Sequence, residues 1–168
     1  MPAHVGRGRA CVAGCGMGKR RRQYELFGRT VNAAQAIARV KGDLLPVPTS
    51  CRFCTGEVKL VNNAQFYGGR EYGWPLAYCC ACCGARVGTH PGTDIPLGTL
   101  ADDHTMKARI AAHDAFDPLW KGKTPLHRAM AYKALAKAMS MRFAHISWMD
   151  ASECHRVVTL CRSGSLQI

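Results

Sequence analysis

Long apolar runs are missing from this sequence of 168 residues. No stretch of about eighteen consecutive apolar residues occurs, which excludes a hydrophobic membrane-spanning helix. The basic N-terminal segment also lacks the apolar core of a secretory signal. We therefore expect a cytoplasmic protein in a reducing compartment, with no membrane partner.

Acidic residues are scarce as well. The chain has 11 Asp and Glu against 23 Lys and Arg, which gives a formal net charge of +12. Half of this excess lies in residues 1–30, which hold seven basic residues and one acidic residue. Concentrated positive charge attracts polyanions because their counterions are released on binding. A solvated tail that keeps the protein soluble is the alternative interpretation.

The motifs of several common enzyme classes are also absent. We find neither the His-x-Glu and Pro-Cys-x-x-Cys pair of zinc deaminases nor a His-Glu-x-x-His, Walker or Gly-x-Ser-x-Gly motif. A metal-dependent nuclease remains a lower-ranked alternative, although the residue order that it needs is not met. Its candidate residues are His90, Asp102, Asp103 and His104. We therefore predict no catalytic residues.

Cysteine, in contrast, is abundant, with ten residues in the chain. In a reducing compartment this content favours metal ligands or buried thiols over disulfides. The segments Cys51-Arg-Phe-Cys54 and Cys80-Ala-Cys-Cys83 have the two-residue spacing with which one tight turn directs two sulfurs at one ion. The two pairs predict one structural zinc ion held by four thiolates. Such a closed site leaves no position for water and stabilises the fold rather than catalysing a reaction.

The ligand set has alternatives. Cys79 and Cys82 also form a Cys-x-x-Cys pair, and free thiols, a redox pair or another metal are further possibilities. We favour the pair that ends at Cys83 because Gly84 follows it directly, and both Gly56 and Gly84 suit a positive φ after a tight turn. The sequence leaves five roles open, those of Cys11, Cys15, His90, His145 and Cys154.

The first half of the chain divides into a tail, a short helix and a β module. Residues 1–28 are rich in Gly and Arg and have no hydrophobic period, which predicts a basic disordered tail. Residues 29–45 are expected to form a short helix capped by Thr30, followed by a linker. Residues 46–98 are predicted to form a zinc-ribbon-like module with strands at 57–61, 76–78 and 85–87.

Helical patterns fill residues 99–162, and residues 163–168 are predicted to be a C-terminal tail. The first helix is expected to begin at Thr99 or Asp102, with a shared face formed by Met106, Ile110 and His113. Thr124 followed by Pro125 predicts the start of a second helix. Asp150 and Glu153 have the spacing of a capping box for a third helix. The predicted fold class is α+β, with a small zinc-ribbon-like β module followed by a packed three-helix segment.

Basic and aromatic residues together predict nucleic-acid binding. Arginine and lysine contact phosphates, and exposed aromatic rings stack on bases. The candidate contact residues are Lys19, Arg20, Arg21, Arg22, Arg70, Tyr72, Trp74 and Arg86. The expected partner is DNA or RNA. The alternative function is a protein-interaction module that docks on a host protein. For the aromatic rings themselves, the alternative interpretation is that they close the small core.

Several short motifs in the middle of the chain point to a family. They include Tyr72-Gly73, Cys80-x2-Cys83-Gly84-Ala85, Val87-Gly88-Thr89-His90 and Pro96-Leu-Gly-Thr-Leu-Ala-Asp102. This pattern resembles the zinc-finger-containing domain family of phages, prophages and bacteria, over roughly residues 50–160. The resemblance implies a zinc finger, a phage or mobile-element origin, and hence a bacterial or infected-host cytoplasm. It implies no activity.

Overall fold

The computed structural model of the protein describes residues 21–40 and 44–166. Within these residues it contains two small antiparallel sheets and four helices. The predicted α+β fold class is confirmed. Predictions for Cys11, Cys15, Lys19 and Arg20 lie outside the described residues. In chain order the elements are β1 (Tyr24–Leu26), β2 (Arg29–Val31), α1 (Ala34–Arg39), β3 (Val58–Asn62), β4 (Leu76–Cys80), β5 (Arg86–Gly88), α2 (Asp103–Phe116), α3 (Pro125–Ala138) and α4 (Ala151–Arg162).

Strands β1 and β2 form a hairpin where the sequence predicted a disordered tail and a helix start. That prediction is wrong for residues 24–31. Phe27 and Gly28 both adopt positive φ, 50° and 67°, as a two-residue hairpin turn of type I′ requires. Val31 is fully buried in β2, so Thr30 does not cap a helix, and α1 begins later, at Ala34.

A buried asparagine attaches this hairpin to the rest of the protein. Asn32 is 3% exposed and has a φ of 62°, and its backbone N–H donates to the carbonyl of Gly92 at 2.8 Å. Its side-chain oxygen accepts the N–H of Asp94 at 3.1 Å. The carboxylate of Asp94 pairs with Arg21 and accepts a hydrogen bond from Tyr24 at 3.1 Å. These long-range contacts order a segment whose composition alone predicts disorder.

Strands β3, β4 and β5 form a three-stranded antiparallel sheet with β4 in the middle. Val58 lies opposite Cys80, and Cys79 lies opposite Arg86. The predicted strands at 57–61, 76–78 and 85–87 are confirmed to within one or two residues at their ends. The register of β3 and β4 places the end of each strand next to a cysteine pair, which positions the candidate metal centre.

The main hydrophobic core lies in the helical half of the chain. It is built around Phe116 of α2, Leu135 of α3 and Val157 of α4, all fully buried. The predicted caps are confirmed where they depend on local chemistry: Asp102 accepts the N–H of Thr105 at 2.8 Å, and the capping box that begins α4 is present. The predicted Thr124 cap makes no side-chain bond to the backbone of its helix.

The buried face of α2 differs from the predicted one. Ile110 is 61% exposed, whereas Ala108 and Ala112 are buried against the helical core. Helices α2 and α4 pack against each other. Small side chains on the contact face let the two helices approach closely, so the larger apolar residue is left on the outer side. The face of α2 that was predicted from hydrophobicity alone is therefore wrong.

Hydrogen bonds around Thr99 join the β module to the helices. The guanidinium of Arg109 donates to the Thr99 carbonyl at 2.9 Å, to its hydroxyl at 2.7 Å and to the Met149 carbonyl at 3.0 Å. The backbone N–H of Thr99 donates to the carbonyl of Ser147 at 3.1 Å. The chain at Gly98 runs so close to this segment that a Cβ there would lie 2.2 Å from the Ser147 carbonyl oxygen.

Within residues 21–40 and 44–166, no helix has both the length and the apolar content needed to cross a membrane.

We predict that Gly98→Ala lowers the free energy of unfolding by about 3 kcal/mol or more, because the new methyl group collides with backbone that is held in place. Gly88→Ala is the matched control, since its Cβ would lie 3.5 Å from Leu97 in ordinary contact and its φ is not positive. The control is expected to change stability by less than about 1 kcal/mol. Urea unfolding followed by circular dichroism measures both, and equal stabilities would contradict the close approach.

Candidate metal centre

Four cysteine sulfurs converge between the two tight turns of the β module. The Sγ atoms of Cys51, Cys54, Cys80 and Cys83 all lie within 4.8 Å of one another. The separations of Cys51 from Cys83 and of Cys54 from Cys80 are both 3.5 Å. A tetrahedral zinc ion with bonds of about 2.3 Å needs sulfur separations of roughly 3.8 Å. The set therefore fits one structural zinc ion.

The first turn closes through its own backbone. The N–H of Cys51 donates to the carbonyl of Gly56 at 2.8 Å, and the N–H of Thr55 donates to the carbonyl of Cys51 at 2.9 Å. Thr55 has a φ of 59°. The positive φ that follows this cysteine pair therefore falls on Thr55 and not on Gly56, where the sequence predicted it.

The second turn repeats the same hydrogen-bond pattern. The N–H of Cys80 donates to the carbonyl of Ala85 at 2.8 Å, and the N–H of Gly84 donates to the carbonyl of Cys80 at 3.1 Å. Gly84 has a φ of 73°, as predicted. Two turns with matching backbone bonds each present a pair of sulfurs, and this is the arrangement by which Cys-x-x-Cys segments hold zinc.

Backbone N–H groups point at the sulfurs. Phe53 donates to Cys51 Sγ and Cys82 donates to Cys80 Sγ, both at 3.4 Å. The backbone N–H groups of Cys83 and Cys82 lower the pKa of Cys80 to about 6. Metal ions bind the thiolate form. At Cys80 this turn geometry therefore favours the thiolate, which is the ligand state that zinc requires.

Gly56 is needed for close approach rather than for its backbone angle. A Cβ on this residue would lie 2.8 Å from the Cβ of Cys82, 3.2 Å from Cys80 Sγ and 3.3 Å from Cys54 Sγ. The backbone of the first turn thus lies directly against the sulfurs of the second. A side chain at this position would push the two turns apart.

The other cysteines of the β module stand outside the sulfur group. Cys79 lies in β4 opposite Lys59, and burial raises the pKa of its thiol. Cys82 is exposed at the tip of the second turn. The predicted ligand register, with Cys80 and Cys83, is therefore the one that the structure forms.

The candidate nucleic-acid residues separate into two groups. Arg22, Arg70 and Tyr72 are exposed, and Tyr72 keeps 75% of its surface accessible. Tyr67, whose ring centroid lies 5.7 Å from that of Tyr72, is 54% exposed. These four side chains are available to a ligand.

The second group makes contacts within the protein. Arg21 forms its ion pair with Asp94. The indole N–H of Trp74 donates to the Thr93 carbonyl at 2.9 Å. Arg86 pairs with Asp103 at 3.4 Å and bonds the carbonyl of Gly84 at 3.3 Å. For Trp74, the interpretation that it closes the small core therefore fits better than base stacking.

The first turn also exposes two side chains that the sequence analysis did not select. The guanidinium carbon of Arg52 lies 5.4 Å from the ring centroid of Phe53, and Phe53 is 41% exposed. Arg52 also donates to the Thr99 hydroxyl at 3.2 Å. The sequence could have indicated their exposure, because both residues lie between two zinc ligands and the residues inside such a turn point away from the metal.

The remaining candidates do not form a second centre. His90 is half-buried, which lowers its pKa, and its loop is held by backbone bonds to Ile95 and Thr93. His145 is exposed, whereas Cys154 is fully buried in α4. In the part of the chain that the structure describes, the four-cysteine set is the one group of three or more potential metal ligands that converges. The nuclease candidates contribute no such cluster there.

Comparison with known proteins now adds to this geometry. The model of a family described as a zinc-finger-containing domain matches residues 47–164, so the chain belongs to that family. The matched segment includes all four sulfur ligands and the three helices that follow. Searches of curated proteins and of solved structures found no match.

We predict that purified protein contains one zinc ion per chain and that Cys83→Ser loses most of it, because a hydroxyl replaces one of four thiolates. Cys82→Ser is the matched control, since it alters a neighbouring sulfur that does not belong to the group. It is expected to retain one zinc ion. Elemental analysis of both variants checks the ligand register, and zinc loss on replacement of Cys82 alone would show that the register is wrong.

Removing the ion with a strong chelator is expected to unfold residues 46–98. Structural zinc contributes on the order of 10 to 16 kcal/mol in such modules, which exceeds the stability of most domains. Hydrogen exchange measures the effect: amides of β3, β4 and β5 lose protection, while those around Phe116 and Val157 in the helical core retain more. Unchanged protection of the three strands would contradict a structural role of the ion.

Proposed function

We propose that this zinc-stabilised protein is a nucleic-acid-binding accessory or regulatory protein that acts in a phage or prophage setting in the cytoplasm. The supporting observation is the ribbon edge, which we define as Tyr67, Arg70 and Tyr72. It presents two exposed aromatic rings with an exposed guanidinium between them in sequence. Rings that stack on bases and cations that contact phosphates are the two components of sequence-tolerant nucleic-acid binding.

The ribbon edge stands on an ordered backbone. Asn63 is 8% exposed, and its amide donates to the carbonyl of Tyr72 at 2.6 Å and accepts the Tyr72 N–H at 3.1 Å. The ring of Tyr72 therefore projects from a fixed position. Exposed rings on an ordered backbone are suited to stacking on bases.

Local charge also favours an anionic partner. Glu71 is the one acidic residue between Asn62 and Thr93 in the sequence. Its carboxylate accepts a hydrogen bond from Asn62 at 2.7 Å and pairs with Arg29, and these contacts lower its pKa. Within the described residues, Arg70 has no such carboxylate partner. Its charge is therefore free to attract phosphates.

A protein-interaction module is the second candidate function. A small apolar pocket of about 210 Å³ is lined by Leu45, Pro46, Pro48 and Leu100, among others. Next to it Leu44 and Val47 are 55% and 41% exposed. Apolar surface of this kind is typical of docking sites on proteins, and a host protein is the expected partner.

We predict that wild-type protein binds oligonucleotides with an affinity that falls steeply with salt, and that Arg70→Gln/Tyr72→Ala weakens binding about tenfold or more. Tyr72→Phe is the control for stacking, because it keeps the ring and removes only the hydroxyl. Lys107→Gln is the control for charge, because this exposed residue lies on α2. Fluorescence anisotropy with labelled DNA and RNA at several salt concentrations measures the affinities.

Two outcomes would count against the proposal. Wild-type protein that binds no DNA or RNA at low salt would remove nucleic-acid binding as the function. Capture of one host protein in a manner that does not depend on salt, with no oligonucleotide binding, would favour the interaction module instead.

A further inference from the structure

A second basic surface lies in the helical half of the chain, far in sequence from the ribbon edge. A groove of about 490 Å³ runs between α3 and residues 142–145. Arg128, Lys133 and Arg142 contribute the cations of its lining, and Tyr132, Phe143 and His145 contribute aromatic rings. We call this surface the α3 groove.

The charged residues that line the α3 groove are all basic. Residues 118–149 contain six Lys and Arg and no Asp or Glu. Arg128, Lys133 and Arg142 are exposed, and none of them forms an ion pair with any residue in the described ranges. Cations that line a concave surface without neutralising carboxylates create a field that favours a polyanion.

Aromatic rings hold two of these cations in place. The guanidinium carbon of Arg128 lies 5.1 Å from the ring centroid of Trp120 and 5.0 Å from that of Tyr132. The guanidinium of Arg142 lies 5.1 Å from the ring of Phe143. Such cation–π contacts orient the charge without neutralising it. The cations are therefore positioned for phosphates before a ligand arrives.

The ring of Phe143 is exposed on a segment that is anchored on both sides. Phe143 itself is 51% exposed, whereas Ala144 and Ile146, which follow it, are 4% and 1% exposed. Before it, the N–H of Met141 donates to the carbonyl of Ala136 at 2.8 Å, which ties the segment to the end of α3. A large apolar ring held in solvent beside Arg142 offers a stacking surface for an unpaired base.

We propose that the α3 groove binds single-stranded nucleic acid, with phosphates at Arg128, Lys133 and Arg142 and a base stacked on Phe143. This inference rests on the proposed nucleic-acid-binding function. It adds that the ligand is single-stranded and that the protein has a second contact surface. Single strands are favoured over duplexes because only unpaired bases expose the faces on which a protein ring stacks. Unneutralised cations favour this ligand over an apolar protein segment.

The test measures anisotropy of a fluorescein-labelled 20-mer of oligothymidylate and of the same strand in a duplex with oligoadenylate, from 50 to 200 mM salt. Lys133→Gln/Arg142→Gln is expected to weaken single-strand binding at least about tenfold and to reduce the salt slope by about 1.4, since each phosphate contact on a single strand contributes about 0.7. Lys107→Gln/Arg162→Gln, with the same change in net charge at two exposed positions outside the groove, is expected to bind like wild type.

A second variant separates stacking from charge. Phe143→Ala is expected to weaken single-strand binding by about five- to hundredfold and to leave the salt slope unchanged, and Phe143→Trp is expected to restore affinity. Zinc content and melting temperature of every variant are measured alongside. Because Lys133, Arg142 and Phe143 are all exposed, these properties are expected to stay at the wild-type values.

The outcomes distinguish the two proposals. Wild-type protein that binds neither the single strand nor the duplex overturns both the proposed function and this inference. Wild-type binding that persists in Lys133→Gln/Arg142→Gln and in Phe143→Ala overturns the α3 groove and leaves the proposed function standing. Equal affinity for the duplex and the single strand overturns the strand preference. If the groove variants no longer bind an acidic host protein but still bind oligonucleotides, the α3 groove is a protein-binding surface instead.

Discussion

The convergence of four cysteine sulfurs on one site is the constraint on which the β module depends. Its strands are three to five residues long, and the buried cluster at its centre consists of Cys51, Cys80 and Ala85. A sheet of this size buries too little apolar surface to be stable alone. The ligand sulfurs therefore add to a small set of buried apolar side chains that includes Leu76 and Ile95. The ion that fits the sulfurs joins two turns that lie 26 or more residues apart in the chain.

The metal-held module and the helical core are two stabilising centres that share one junction. Arg109 of α2 binds the backbone on both sides of that junction, at Thr99 and at Met149. Arg52, which lies between two zinc ligands, donates to the hydroxyl of Thr99. Hydrogen bonds thus run continuously from the zinc turns to the helices.

The arginines show why net charge alone does not locate a binding surface. Arg21 and Arg86 are used inside the protein, each with a carboxylate partner. Arg128 and Arg142 lie on aromatic rings and keep their charge free. The signal that could have found the α3 groove was present in the sequence as the acid-free stretch 118–149.

The sequence by itself determined features that depend on neighbours in the chain: the zinc turns, the approximate strands and the caps at Asp102 and Asp150. Their chemistry is complete within a few residues, so spacing predicts them. Only the tertiary structure decided that residues 24–31 form a hairpin, that Ile110 faces outward, and which arginines are paired. Each of these depends on contacts between distant segments, such as Asn32 with residues 92–94, and local patterns do not encode which distant groups will meet.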